Sequence, residues 1–300
     1  MPSAVFLSRA MKIELRIPCG GGKHASIRLD GDNPLLRGME MAALMGLEAC
    51  TPDPDVSPAV DILELPGMGD ALFSMHAVSV RWNRASLGFD INIGRRKSTF
   101  TSSQLGDEWQ NIVICAAIAA QMRGHQMLAC HGALLEGPRG GMLLCGESGV
   151  GKSTAATRWM SAGGTCNADD MCLLEFEESG IYARPLPTWS RCRKGIGGLC
   201  YPVGHRVKLV AAVALSRSGG EQGGMERLED APAADATAQF YRSAMYFPLS
   251  VLPWLEDRDQ RKVAAHAFRL VGRLMATLPP KVFFACLEGD IMAALGGCLL

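Results

Sequence analysis

A chain of 300 residues suits one large domain or two modest ones and is long enough to bury a real core. Thirty basic side chains balance thirty acidic ones, so there is no cationic surplus to grip a phosphate backbone, and a general nucleic-acid partner is excluded. With 48% hydrophobic and 20% charged residues, extensive disorder is excluded as well. No apolar run approaches the ~20 residues of a membrane helix, so no membrane association is expected.

The opening segment, Met1 to Leu15, lacks a basic start followed by a sustained apolar core. It reads as no secretory signal, with Met11 as an alternative start. The 11 cysteines are an odd number and form no C-x-x-C pair. Spacings such as Cys166/Cys172 and Cys192/Cys200 are wider than zinc knuckles. The cysteines therefore read as small buried apolar groups in a reducing, cytoplasmic compartment.

In chain order, residues 12–105 form a β-rich front part. Strands are predicted at Lys12–Pro18, Ala59–Leu65, Leu72–Val80 and Ser86–Ile93, with a short helix at Met39–Leu47. Gly20-Gly21-Gly22-Lys23 mimics a phosphate loop but lacks the spacing and the following hydroxyl, and reads as a turn. From Asp107 to about Met127 the apolar positions Trp109, Ile112, Val113, Ala116, Ala119 and Ala120 recur at helical spacing, broken by Gly124. Met127–Glu136 and Met142–Cys145 read as a hairpin around the turn Gly137–Gly141. A second hairpin is expected from Met171–Phe176 and Ile181–Leu186. Val207–Leu215 follows as a buried strand and Ser216–Gly224 as a loop. Ala234–Tyr246 and Asp257–Leu278 read as helices. The second carries a core stripe of Val263, Ala267, Leu270, Val271 and Leu274. Val282–Leu287 is a last strand and Asp290–Leu295 a short helix. Residues 106–300 thus form an α/β unit behind the front part.

The strongest motif is Gly146-Glu147-Ser148-Gly149-Val150-Gly151-Lys152-Ser153, which fits G-x-x-x-x-G-K-[ST] throughout. It is preceded by apolar Met142–Cys145 and followed by helix-compatible Thr154–Met160, the strand–loop–helix order that a triphosphate site needs. The glycines let backbone N–H groups close around phosphate oxygens, and the helix start adds its positive end. Residues Gly146 to Thr154 are therefore the expected nucleotide-binding set. Lys152 would reach the β and γ phosphates and Ser153 would give its hydroxyl to Mg²⁺.

Gly163-Gly164 stop that helix, and Thr165–Ala168 then leads into Asp169-Asp170. If Thr165–Ala168 is the next parallel strand, a right-handed crossover brings both acids to the sheet edge that holds the loop. One acid would then serve the metal and the other would accept a proton. Asp170 is taken as the base and Asp169 as the metal-side acid.

His131-Gly132 before a short hairpin, a loop of G-[DE]-S-G-x-G-K-S type, a helix and a paired Asp resemble the HPr kinase/phosphorylase family. The likeness spans about residues 127–175 and is weaker through Leu215. It implies an α/β fold with a P-loop core of HPr-kinase (PEP-carboxykinase-like) type, serine-kinase activity with ATP and Mg²⁺, and homo-oligomers. By the same likeness His131, Lys152 and Asp170 form the catalytic set, and Ser153 ligates the metal. The family's later Glu-Ile-Arg-Gly signature is missing. Where it should fall the chain reads Arg184 to Gly195, with Arg191, Arg193 and Lys194 as cations that cannot ligate Mg²⁺ but can clamp phosphate or an acidic peptide. The run Pro185-Leu186-Pro187-Thr188-Trp189-Ser190 is similar to divergent HPr-kinase-like proteins of peptide-modification cassettes, the SynChlorMet group and the lasso-precursor kinases among them. This likeness implies a ribosomal peptide precursor as acceptor.

Three readings stay open at this point. The first is a kinase for a Ser or Thr hydroxyl on a peptide or small protein. The second is a nucleotide-gated accessory protein that binds a peptide without turnover, which the missing Glu motivates. The third is a small-molecule kinase. A transport ATPase is disfavoured, because no second ATPase signature follows the acid pair.

Overall fold

The computed structural model describes residues 12–30, 47–65, 78–94, 102–188, 201, 203–217, 226–285 and 289–300. Among the described residues two β-sheets and six helices make a mixed α/β protein.

The front sheet holds β1 (Lys12–Pro18), β2 (His24–Asp30), β3 (Glu48–Cys50), β4 (Val60–Leu65), β5 (Val78–Asn83) and β6 (Gly88–Gly94). Its order is β3-β1-β2-β4-β6-β5, parallel at β2–β4 and β4–β6 and antiparallel elsewhere. The expected strands at Lys12–Pro18 and Ala59–Leu65 are present. Of Leu72–Val80 only the end is described, and that strand runs on to Asn83. The expected strand at Ser86–Ile93 starts two residues later, because Ser86 and Leu87 belong to the preceding turn. The helix expected at Met39–Leu47 lies outside the described residues except for Leu47, which is not helical. β2 was not expected, although Ala25, Ile27 and Leu29 alternate with Ser26 and Arg28 and are buried.

Gly20-Gly21-Gly22 form the β1–β2 turn with φ of 84°, 56° and 73°, a left-handed run that glycine alone takes cheaply. A Cβ on Gly20 would sit 3.0 Å from the carboxyl carbon of Glu175, and Gly21 N–H donates to Glu177 Oε1 at 3.3 Å. The glycines therefore seat this turn against the back sheet.

The back sheet contains β7 (Met127–Gly137), β8 (Gly140–Cys145), β9 (Thr165–Ala168), β10 (Met171–Glu177), β11 (Gly180–Pro185), β12 (Val207–Arg217), β13 (Arg227–Asp230) and β14 (Lys281–Ala285). The order is β11-β10-β7-β8-β12-β14-β13, with β9 also on β7. β11 curls back to pair with β12 through Tyr182↔Lys208 and Ala183↔Val207. Ser216 and Arg217, expected in a loop, extend β12 beside Phe284 and Ala285 of β14. Beneath this curl Glu175, 1% exposed, is held by Arg184 and Arg206. A buried carboxylate requires such partners.

Helix α1 (Ser102–Met122) starts five residues earlier than expected and ends at Met122, before Gly124. From Ile112 to Gln121 every residue is buried. Such a helix is wanted where both sides meet protein, and α1 runs between the two sheets, touching β2, β4 and β6 on one side and β7 on the other. One contiguous apolar cluster joins Leu15 and Ile27 of the front sheet, Ile114 and Ile118 of α1, and Leu128 and Leu173 of the back sheet. Arg123 pins the end of α1 by donating to the carbonyls of Ser57, Pro58, Ser86 and Leu87.

The remaining helices are α2 (Lys152–Ser161), α3 (Ala233–Met245), α4 (Pro248–Val251), α5 (Asp257–Thr277) and α6 (Ile291–Leu299). All five expected stripe residues of α5 are buried. Asp290 caps α6 by accepting from the N–H groups of Met292 and Ala293. Asp259 at the start of α5 is fully buried and accepts from Trp82 Nε1 of β5 at 3.1 Å and from Lys262 Nζ at 2.9 Å. Burial alone would raise its pKa, but these two hydrogen bonds and the charges of Lys262 and Arg84 outweigh it and hold the carboxyl below its ordinary value. A carboxyl with a depressed folded pKa adds stability above its unfolded pKa, and that stability is lost as pH falls through the folded pKa. Thermal midpoints measured across the acid range should therefore fall less steeply for Asp259→Asn than for the parent chain. Identical slopes would refute the assignment.

Candidate functional site

The loop at residues 146–151 joins the end of β8 to the start of α2. Gly149 and Gly151 take φ of 77° and 116°, conformations that suit glycine. A Cβ on Gly146 would meet Val150 Cγ1 at 2.8 Å and the Leu215 carbonyl at 3.1 Å, so this position also needs glycine. α2 begins at Lys152 with Gly151 as N-cap and no side-chain capping bond. The first N–H groups of a helix have no partner within it, and a glycine N-cap brings no side chain of its own to them, which suits an anion. Lys152 is buried, and its Nζ donates to the carbonyls of Gly146 at 2.9 Å and Glu147 at 3.0 Å, tying the loop closed.

α2 is fixed at its far end. Trp159 is fully buried, and its indole N–H is shared between the carbonyls of Glu136 at 3.3 Å and Thr165 at 3.1 Å. A Cβ on Gly164 would fall 2.1 Å from Trp159 Nε1, which explains the glycine where the chain leaves the helix. Arg158 forks onto the carboxylate of Glu226 and reaches the Gly289 carbonyl.

The acid pair reaches the site by a route different from the expected one. β9 is not the parallel neighbour of β8: β7 lies between them and is antiparallel to both. β9 and β10 both lie along β7, with Asp169-Asp170 at the break between them. The β7–β8 hairpin already occupies that edge of β8, so the crossover from α2 must pass over one strand before it pairs. Gly132 of β7 consequently stands opposite Cys145 on one side, while its N–H donates to the Asp170 carbonyl at 3.0 Å on the other. Two strand spacings, roughly 10 Å, separate the backbone at the root of the loop from that of the acids. Gly132 is tightly enclosed, since a Cβ there would lie 3.0 Å from the Leu144 carbonyl and 3.2 Å from Cys145 Sγ.

His131 is buried beside this junction. Its Nδ1 is 3.1 Å from the Asp170 carbonyl oxygen and 3.5 Å from Asp170 Oδ1. A carbonyl only accepts, so this bond places a proton on Nδ1. The imidazole stacks on the Tyr246 ring with centroids 4.4 Å apart and planes 19° apart, and it meets the edge of Phe247 at 5.1 Å. Asp169 and Asp170 are both buried. The structure thus brings Gly146–Thr154, His131, Asp169 and Asp170 to one edge of the back sheet.

Tyr246, Phe247 and Gln239 are additions that sequence reasoning missed. Gln239 Nε2 donates to the Leu215 carbonyl at 3.1 Å, next to Gly146. The contacts of Tyr246 and Phe247 with His131 bridge more than a hundred residues, and their only local sign was an aromatic pair at the end of α3. Arg191, Arg193 and Lys194 lie outside the described residues. Arg184, from the same basic stretch, is committed to Glu175 and the Val203 carbonyl.

Three thiols surround Gly132. Cys130 Sγ lies 3.4 Å from Cys145 Sγ, and Cys172 donates to the Gly132 carbonyl at 3.3 Å. The contact with Cys145 and burial push the Cys130 thiol well above its ordinary pKa, and burial does the same at Cys172, so both are packing groups.

These features define a mixed α/β protein with a glycine loop at a strand–helix junction and two carboxylates beyond one intervening strand. The chain belongs to the SynChlorMet cassette protein ScmC family, whose model matches residues 99–295. The solved structure of the HPr(Ser) kinase/phosphatase from Coxiella burnetii is similar at 17% identity, over 34% of this chain and 77% of that one, with a TM-score of 0.25. No curated protein matches the chain. Among the described residues no helix is long and apolar enough to cross a membrane.

Proposed function

We propose that the chain is an ATP- and Mg²⁺-dependent kinase that phosphorylates a Ser or Thr hydroxyl on a peptide or small protein, with a ribosomal peptide precursor as the acceptor class. The observation that carries this reading is the three-strand junction at Gly132. It ties the root of the glycine loop and the Asp169-Asp170 pair to the same residue of β7.

The residues fit the groups they would receive. A helix start with glycine at its N-cap and a loop that tolerates no side chain at Gly146 suit a triphosphate. The Ser153 hydroxyl and the Asp169 carboxylate are hard oxygen donors of the kind Mg²⁺ takes. Mg²⁺, when bound, supplies neutralisation of charge on the β and γ phosphates. Lys152 and the loop N–H groups hold the phosphates. The Asp170 carboxylate accepts the proton of the acceptor hydroxyl. As its oxygen bonds to the γ phosphorus, the bond from that phosphorus to the β–γ bridging oxygen breaks and ADP leaves. His131 orients the acceptor or the γ phosphate from beside Asp170.

The test is incubation of the full chain with Mg-ATP and precursor peptides from neighbouring genes, followed by peptide mass. One phosphoryl increment on a Ser or Thr supports the reading. Tight ATP binding with nucleotide-dependent peptide capture and no transfer would replace it with the accessory-protein reading.

Tyr246 gives a finer check. Stacking of this kind contributes about 0.5–1.5 kcal/mol, so Tyr246→Leu should lower kcat/KM for the acceptor by up to about tenfold. It should leave ATP affinity unchanged, with Tyr246→Phe close to the parent. An unchanged kcat/KM for Tyr246→Leu would remove Tyr246 from the site.

A further inference from the structure

An apolar trough of about 720 Å³ runs between α3 and α5, on a face that the proposed phosphoryl transfer does not use. Its walls are small or flat: Ala234, Ala238 and Tyr241 from α3, and Ala264, Ala265 and Phe268 from α5. Phe268 is 61% exposed and rests edge-on against Tyr241 at 5.9 Å. The buried stripe of α5 is already spent on the core, and Ala265 and Phe268 stand exposed beside it, while Ala264 and Tyr241 pack partly onto the core. Exposed apolar surface bordered by charge marks an interaction site.

The border is basic. Arg261 and Arg269 lie one turn to either side of Ala265, and Arg242 lies one turn beyond Ala238, so helical geometry places all three along the trough. With Arg258 they make four exposed arginines against two exposed aspartates, Asp235 and Asp257. Arg269 donates to Gln126 and lies against His266, which leaves its charge without a carboxylate among the described residues. A second copy of this face would bring the same positive excess against itself. An alanine-floored trough between two helices accepts the ridge of a third, and its charge asks for acid along that ridge.

We infer that the α3–α5 trough docks an acidic amphipathic helix of a partner polypeptide, with apolar residues at i, i+3/i+4 and i+7 inserted beside Phe268 and Glu or Asp facing Arg242, Arg261 and Arg269.

The test is selection of a displayed library of 20-residue helical peptides on the full chain, with prior depletion on Phe268→Glu. Phe268 is exposed, so this variant should fold, which circular dichroism checks. The expected outcome is enrichment of net-acidic sequences with the i, i+3/i+4, i+7 apolar pattern, binding at least tenfold more weakly to Arg261→Glu/Arg269→Glu. Failure to enrich above the Phe268→Glu background would overturn the proposal, as would enrichment of basic or neutral sequences. So would a concentration-dependent dimer of the parent chain that Phe268→Glu dissolves, since the trough would then be a contact between copies. None of these readings depends on kinase turnover.

Discussion

Asp170→Asn should abolish most phosphoryl transfer while leaving nucleotide binding in place. The amide keeps the size of the carboxylate but cannot take a proton from an attacking hydroxyl, and loss of a positioned general base costs about 10²–10⁴-fold in rate. The fold should survive. The Asp170 carbonyl accepts from Gly132 N–H and from His131 Nδ1, and the substitution leaves that carbonyl untouched. Single-turnover transfer to the peptide, measured beside ATP affinity by titration, separates the two effects. A variant that transfers phosphate as fast as the parent would end the assignment of Asp170 as base. Equal losses of ATP binding and of transfer would move Asp170 to the nucleotide side of the site.

Lys152→Met should act on the other half of the site and lose nucleotide affinity first. The ammonium is buried and donates to the carbonyls of Gly146 and Glu147, so it shapes the loop before any ligand arrives. A hydrogen bond to a charged group contributes about 1.5–3 kcal/mol, which corresponds to roughly ten- to more than a hundredfold in affinity. Methionine retains the length and the apolar stem, and α2 remains anchored by Trp159 and Arg158, so the melting temperature should change little. Isothermal titration with ATP and with ADP checks this. Unchanged affinity for both nucleotides would mean that the loop binds no phosphate through Lys152.

Local pattern made much of the back sheet legible. The β7–β8 hairpin, the helix from Lys152 and the α5 stripe each follow from apolar periodicity and turn residues within a short window. The glycine loop was legible because its chemistry requires fixed spacing. What local pattern could not supply was pairing partners. Thr165–Ala168 reads as a strand, yet nothing in those four residues says that β7 separates it from β8. β2 has the alternation of a half-buried strand, but it is short and follows a glycine run that reads as an isolated turn. β3, with three residues, and β13, with four, are too short to carry a period. The contact of Tyr246 with His131 joins positions 115 residues apart, and only the folded chain records it.

The burial of α1 has a consequence for how this protein can vary. The stretch that carries the family likeness begins just before this helix, while half of what covers the helix comes from strands earlier in the chain. A relative that dispensed with the front strands would leave the side of α1 that meets β2, β4 and β6 facing water, unless that side turned polar or another element replaced the lost cover. Descent should therefore have kept the front sheet and the back sheet travelling together, with compensating changes concentrated along one side of a single helix.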